Sequence, residues 1–368
     1  MEKNKYTSTT MPPVWIFRIS QKIRYFLKSL DSKLVPANVA VYEKSQAFWI
    51  SKAIGVACDL NLADLLRTGP KTISKIAMLT NAHEQSIYRL MRALASEGIF
   101  KEKKGRVFSN TALSLGLAEG KGSMKNMIRH QLNKTNWELI GSLHNTVTTG
   151  VCASGEFFGV DIFSHLEKNP EKNELYNTAM SETSALASSA FLSVYSFNKS
   201  KIVVDIGGGE GLLLSMILQK NKHLKGILFD LPHVVKKAYE TFKKFGVEDR
   251  ALVEEGDFFD KIPDSGDTYI MKNILHAFDD QSCINLLKNL NSVMTKNGNL
   301  LIMEAVLSEN NRPEYGKIFD LQMLIGTLGG KERTRQEFEL LLQQSGFKLN
   351  RVLPTVSPFS VLEGKKIT

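Results

Sequence analysis

The chain has 368 residues, 43% hydrophobic and 23% charged, with a formal net charge of +9. That composition excludes a disordered polymer, and no apolar run reaches the ~18 residues of a membrane span. Three widely spaced cysteines, Cys58, Cys152 and Cys283, exclude a disulfide framework or zinc ribbon. With no secretion signal in the polar start MEKNKYTSTTMPP, a cytoplasmic setting is expected.

The positive excess sits in the N-terminal third. Residues 1–35 carry seven Lys/Arg against two acids, residues 71–110 eight against three, and residues 201–368 hold 22 of each sign. A neutral C-terminal half is a poor nucleic-acid surface. After a polar stretch broken by Pro12 and Pro13, Trp15, Ile16, Ile19, Ile23, Phe26, Leu27 and Leu30 recur at helical spacing. Arg18, Lys22, Arg24 and Lys28 lie largely off that stripe. Such a basic amphipathic helix suits packing on its own protein or a second subunit, and residues 14–30 also suit peripheral membrane contact.

Helix is expected to continue over 36–66. A short helix over Thr72–Leu79, a polar turn, a second helix over Gln85–Glu97 and a two-stranded wing over Phe100–Phe108 make a winged helix-turn-helix. This module binds DNA or protein, and its second helix offers mainly His83, Gln85 and Arg89, few groups for reading a groove. Residues 111–190 are helical and connective, with a loop over 150–159. The helix Asn173–Ser189 is rich in Ala and Ser around Met180, a pattern for close packing or for lining a pocket.

From Lys201 strand and helix alternate. Strands are expected at Ile202–Ile206, Gly226–Asp230, Ala251–Gly256, Thr268–Met271 and Asn299–Glu304, with helices at Gly211–Gln219, Val234–Phe245, Gln281–Met294 and Arg335–Ser345. The alternation predicts an α/β fold with a doubly wound parallel sheet. Two final β runs, Lys348–Leu353 and Ser360–Glu363, predict an antiparallel edge that a dinucleotide-binding sheet does not ordinarily have.

The first strand runs into Asp205-Ile206-Gly207-Gly208-Gly209-Glu210-Gly211. Glycines here allow a sharp turn and close approach of a ligand at a helix start, and Asp230, ending the second strand, suits a ribose diol. Leu212 stands where the dinucleotide fingerprint requires glycine, and Glu210 is ill placed for a pyrophosphate. Asp257 with Phe258 beside it suits an adenine amino group and ring. Together these features favour S-adenosylmethionine over NAD. An N-cap of the following helix is the bland alternative for each acid taken singly.

The runs DIGGGEG, FDLPHVV (229–235), GDFF (256–259), MKNILHAFDD (271–280) and GGKERT (329–334) resemble the S-adenosylmethionine-dependent O-methyltransferases of the caffeate/acetylserotonin type. The resemblance covers nearly the whole chain beyond residue 35. It implies a class I methyltransferase sheet, Rossmann-like, preceded by an α-helical winged-helix domain that serves dimerisation, not DNA. The expected segments are a basic tail and amphipathic helix (1–35), a winged-helix dimerisation domain (36–115), a helical connector lining the substrate pocket (116–195) and the S-adenosylmethionine-binding catalytic domain (196–368). The resemblance also implies cofactor contacts at Gly207, Asp230, Asp257, Phe258 and Lys272, to which Asp205, Gly209 and Gly211 of the same loop are added. It makes His276 the catalytic base flanked by Glu304 and Glu332, and Met180, Phe319 and Met323 substrate-pocket residues. Expected partners are a small-molecule hydroxyl substrate, aromatic or polyketide-like, and a second copy of the chain. No metal is implied.

Methyl transfer is an in-line displacement at a sulfonium methyl, and an alcohol or phenol becomes a competent nucleophile when its proton leaves. A histidine held by a carboxylate takes that proton near neutral pH, and alignment of the reacting atoms supplies much of the remaining rate. One departure stands out: the family's histidine is commonly followed by Asp and Trp, whereas Ala277 and Phe278 follow His276. That leaves open a relative that binds the cofactor but does not methylate. A DNA-binding regulator built on residues 71–108 is the reading from a different class.

Overall fold

The computed structural model describes residues 11–120, 122–160 and 162–367. These form two compact units, one of residues 26–138 and 171–183, the other of residues up to Tyr25, 139–170 and from Ser184 on.

In the smaller unit the winged module is present. The helices Ile73–Thr80 and Glu84–Ser96 are followed by strands Phe100–Lys103 and Val107–Asn110, and the short strand Lys71–Thr72 pairs with the second of these. The Thr72 hydroxyl accepts from the Lys75 amide and caps the first helix. Leu62, Ile76, Met91, Leu94, Phe100 and Phe108 form its core. The single helix expected over 36–66 is instead three, Ala37–Ser45, Ala47–Asp59 and Leu62–Leu65, closing in a 3-10 turn. Asn61 causes the second break. It takes a left-handed φ of 53°, which Asn tolerates better than most residues and which no helix continues through. The helix Val14–Asp31 forms as expected, and none of its residues is buried.

The larger unit is built on seven strands: β1 (Ile202–Ile206), β2 (Lys225–Asp230), β3 (Ala251–Glu255), β4 (Thr268–Lys272), β5 (Asn299–Glu304), β6 (Phe347–Pro354) and β7 (Ser360–Lys366). Their order is β6-β7-β5-β4-β1-β2-β3. The first five are mutually parallel, and β7 runs antiparallel to both β5 and β6. The antiparallel edge is therefore present, with both strands longer than expected. Near-continuous apolar runs such as Leu300–Met303 are fully buried because helices cover both faces. Phe191, Leu213, Ile217, Phe242 and Phe245 lie in one layer, and Leu275, Leu286, Leu290, Phe338 and Leu341 in the other. The helix Leu212–Lys220 is buried from Leu212 to Leu218, so the glycine run leads into the centre of its layer. The expected helix from Val234 begins as a 3-10 turn and becomes regular at Ala238. The small-residue helix extends to Pro170–Val194, with proline at its start where no backbone donor is needed. Among the described residues, no helix is long and apolar enough to cross a membrane.

Candidate active site

Parallel strands bring their C-terminal ends to one edge, and the predicted polar residues from Asp205 to Glu304 lie at or just past those ends. After β1 the chain turns through Gly207, Gly209 and Gly211, with φ of 64°, 64° and 78°. A Cβ on Gly207 would stand 2.3 Å from Ile274 Cδ1, and one on Gly211 2.7 Å from Phe242 Cε1. This loop requires glycine both for its backbone and for its space.

Asp230 joins the loop to the second strand end. Its Oδ2 accepts from the Gly209 amide at 2.8 Å and its Oδ1 from the Leu231 amide at 2.8 Å. Burial pushes this carboxyl above its ordinary range, against those two hydrogen bonds. Asp257 is exposed and accepts from the Phe259 amide, the capping role open to any strand-end acid. Phe258 beside it meets Phe259 and Phe278 edge-on, with ring centroids 5.0 and 5.9 Å apart.

Asp205 is different. It is 1% exposed, and neither carboxylate oxygen meets a donor in hydrogen-bond geometry. Burial pushes its pKa up to about 7, opposed by the Lys272 charge, reinforced by Asp230 and eased by the nearby Leu214 amide, which lies outside ideal hydrogen-bond geometry. Burial in turn lowers the Lys272 ammonium, which Asp205 supports. A cradle of carboxylates with two unpaired oxygens, and no basic residue between 205 and 211, fits a nucleoside carrying a cation better than a pyrophosphate.

His276 sits on a 3-10 turn, Leu275–Ala277, after β4. Its Nδ1 lies 2.8 Å from Glu332 Oε1, and both side chains are buried. Glu304 Oε1 accepts the backbone amides of Ile274 and His276 at 3.1 and 3.2 Å. Burial disfavours the imidazolium, but the Glu332 bond and the charges of Glu304 and Glu332 outweigh it and raise the His276 pKa. Burial likewise pushes the Glu304 carboxyl up, while the His276 charge holds it down. The second oxygens of Glu304 and Glu332 have no hydrogen-bond partner among the described residues.

Phe319, on the helix Tyr315–Gly326, places its ring 5.3 Å from that of His276 and stacks on Tyr315. Met323 follows one turn later, half-buried. Met180 is half-buried on the helix Pro170–Val194 and belongs to the smaller unit, whereas all the other candidates belong to the larger one. Ala277 is 8% exposed, and Phe278 fills the neighbouring space against Phe258 and Phe259, so the departure from the family's Asp and Trp leaves the His276–Glu332 bond in place.

Sequence reasoning missed Arg333, Asp320 and Asn273. Asp320 Oδ1 accepts the Glu332 amide at 2.7 Å and fixes the segment that orients the histidine. Asn273 takes a left-handed φ of 55° at the start of the histidine turn. The one available signal was the charge triplet Lys331-Glu332-Arg333, which looks solvated in sequence yet buries its last two members.

The chain matches the model of the O-methyltransferase domain over residues 141–348 and that of the O-methyltransferase dimerisation domain over residues 42–119. It is 37% identical to phenazine O-methyltransferase PhzM of Lysobacter antibioticus, an alignment covering 90% of this chain and 97% of that one. It is 32% identical to the mitomycin biosynthesis 6-O-methyltransferase of Streptomyces lavendulae, covering 89% and 94%. The structure of human N-acetylserotonin methyltransferase in complex with S-adenosylmethionine superposes with a TM-score of 0.83 at 25% identity, over 91% of this chain and 99% of the human one.

Proposed function

We propose that this chain, which belongs to the S-adenosylmethionine-dependent O-methyltransferases, methylates a hydroxyl of a small aromatic or polyketide-like molecule with His276 as general base. The observation that carries the reading is the 2.8 Å bond between His276 Nδ1 and the buried Glu332 carboxylate. A carboxylate there keeps the proton on Nδ1 and leaves Nε2 as the acceptor. As the acceptor hydroxyl gives up its proton to Nε2, Glu332 stabilises the imidazolium, and Glu304 adds a second negative charge. Base catalysis of this kind contributes ~10²–10⁴-fold.

When bound, S-adenosylmethionine supplies an electrophilic methyl group. Asp230 would hold its ribose and Asp257 with Phe258 its adenine. Gly207, Gly209 and Gly211 admit it to the loop, and Asp205 and Lys272 set the charge beneath. Phe319 and Met323 offer the acceptor an aromatic face and a pliable thioether. Relatives named for phenazine and mitomycin methylation support a planar acceptor. The intact His276–Glu332 pair favours methylation over non-methylating chemistry.

The dimerisation-domain match supports reading the winged module as a protein contact rather than a DNA reader, and supports a homodimer. We assign the uncovered apolar face of Val14–Asp31 to the second copy of the chain. Deleting residues 1–31 then weakens the dimer in sedimentation and leaves liposome association unchanged. Loss of binding to anionic liposomes, with the dimer intact, would assign that helix to a membrane instead.

The chemistry is tested with methyl-labelled S-adenosylmethionine and a panel of hydroxyarenes that includes 1,4-dihydroxy-2-naphthoic acid, the ligand of the NcsB1 relative. His276→Asn lowers product formation ~10³-fold while calorimetry finds cofactor affinity retained. Full turnover in that variant overturns the assignment of the base.

A further inference from the structure

We infer that Arg333 is a positioning residue of this active site, its buried guanidinium clamping the backbone turn that carries His276. Arg333 is 0% exposed. Its Nη1 donates to the Leu275 carbonyl and its Nη2 to the Phe278 carbonyl, both at 2.9 Å. These carbonyls bracket His276. Nε bonds Asp280 at 2.9 Å, Nη1 also donates to the Lys331 carbonyl at 3.3 Å and Nη2 to the Cys283 sulfur at 3.6 Å, and Asp280 is held in turn by Lys331 at 2.8 Å. The Cys283 thiol also donates to the Leu275 carbonyl.

The opposite polarity of the turn is handled by Glu304, which takes the amides of Ile274 and His276. A carboxylate therefore gathers the N–H groups of the turn and a guanidinium gathers its carbonyls. Bonds with one ionised partner are about twice as strong as neutral ones. The turn needs that help. It is a single 3-10 turn entered through a left-handed asparagine, and such short turns have little stability of their own. A base displaced by about 1 Å loses on the order of 10²-fold in rate. The neighbouring residue Glu332 fixes the imidazole ring, so one dipeptide sets both the ring and the backbone beneath it. Lysine is no substitute, because an ammonium lacks the planar fork that spans two carbonyls.

The catalytic meaning of the clamp rests on His276 being the base, but the clamp itself is tested without turnover. The full-length protein, Arg333→Gln, Arg333→Lys and the control Arg351→Gln are compared by hydrogen exchange, by NMR titration of the His276 ring and by calorimetry with S-adenosylmethionine. The groups bearing on that ring are Glu332, Glu304, Lys272 and the Phe319 face. In Arg333→Gln, amides 274–278 exchange at least tenfold faster than in the parent. The His276 titration falls towards its ordinary value as the Glu332 bond loosens, and cofactor affinity changes less than about threefold. Arg333→Lys lies between, guanidinium ion added to Arg333→Ala slows the exchange again, and Arg351→Gln leaves all three readouts unmoved.

Unchanged exchange and titration in a folded Arg333→Gln overturn the proposal. So does faster exchange spread evenly over β1–β5, or failure of both the Gln and Lys variants to fold, either of which marks Arg333 as general core support. Full turnover in His276→Asn would instead overturn the base, leaving the exchange result to stand as a statement about the turn.

Discussion

The two ends of the parallel sheet treat buried polar groups in opposite ways. Where the strands begin, Asp267 accepts the amides of Lys201 and Ile202, Ser200 bonds Thr268, and Arg250 donates to the carbonyls of Leu218 and Leu224. Where the strands end, the accounting fails. Of seven buried side-chain oxygens without a partner among the described residues, five belong to Asp205, Asn273, Glu304 and Glu332. Nearly every buried polar group in a folded protein is satisfied, so such a concentration marks a place where stability has yielded to binding and chemistry.

The most severe break in this comparison is His276→Asn, which removes the group around which two of these carboxyls, Glu304 and Glu332, are arranged. Initial-rate assays are expected to find kcat lower by ~10³-fold with S-adenosylmethionine affinity unchanged. Glu332→Gln is expected to cost about 10–100-fold and to move the pH profile. The proposed base works only when neutral, and its folded pKa is raised, so the rate climbs with pH through a value above ~6.5. With the carboxylate gone, the acidic limb of kcat shifts to lower pH. By linkage, the stabilising contribution of His276 is complete below the unfolded pKa and disappears as pH rises through the folded one.

Asp205→Asn sharpens the contrast through stability. The folded protein binds the Asp205 proton more tightly than the unfolded chain does, with a pKa of about 7 against 3.8. Stability is therefore lost as pH rises between those values, by ~1.4 kcal/mol per unit at most. The amide variant is expected to melt several degrees higher than the parent at pH 8, to match it near pH 4, and to bind S-adenosylmethionine more weakly. A melting temperature that drops at pH 8 would mean that Asp205 is satisfied after all. The smallest effect belongs to Arg351→Ala, which breaks a pair with Glu363 in the β6–β7 hairpin. Arg351 is half exposed, but Glu363 is buried and keeps only its Asn350 bond, so about 1–3 kcal/mol of stability and no change in kcat are expected.

Much of this is legible in the sequence. Strands of unbroken Val, Ile and Leu, glycines at alternate positions and acids at strand ends carry their meaning locally, and each lay where the pattern placed it. The break at Asn61 was not legible, because the residues around it keep helical spacing and only the backbone of one asparagine departs from it. Arg333 was hidden for another reason. A Lys-Glu-Arg run has the composition of a solvated loop, and its burial follows from a two-residue parallel pairing with Val306–Leu307 that only the folded chain creates. The partners of His276 thus come from sequence positions that local pattern does not connect.

The strand order carries a consequence for biosynthesis. β7 follows every other strand of the sheet in sequence, yet it lies between β5 and β6. Until residues 360–366 have been synthesised, the nascent chain holds β5, an apolar strand of sequence NLLIME, with one open edge. Such an edge is a template for pairing with other chains. Completion of the sheet therefore waits for translation of those residues. A shortened chain that lacks them would retain every residue assigned to catalysis and still expose a surface prone to aggregate.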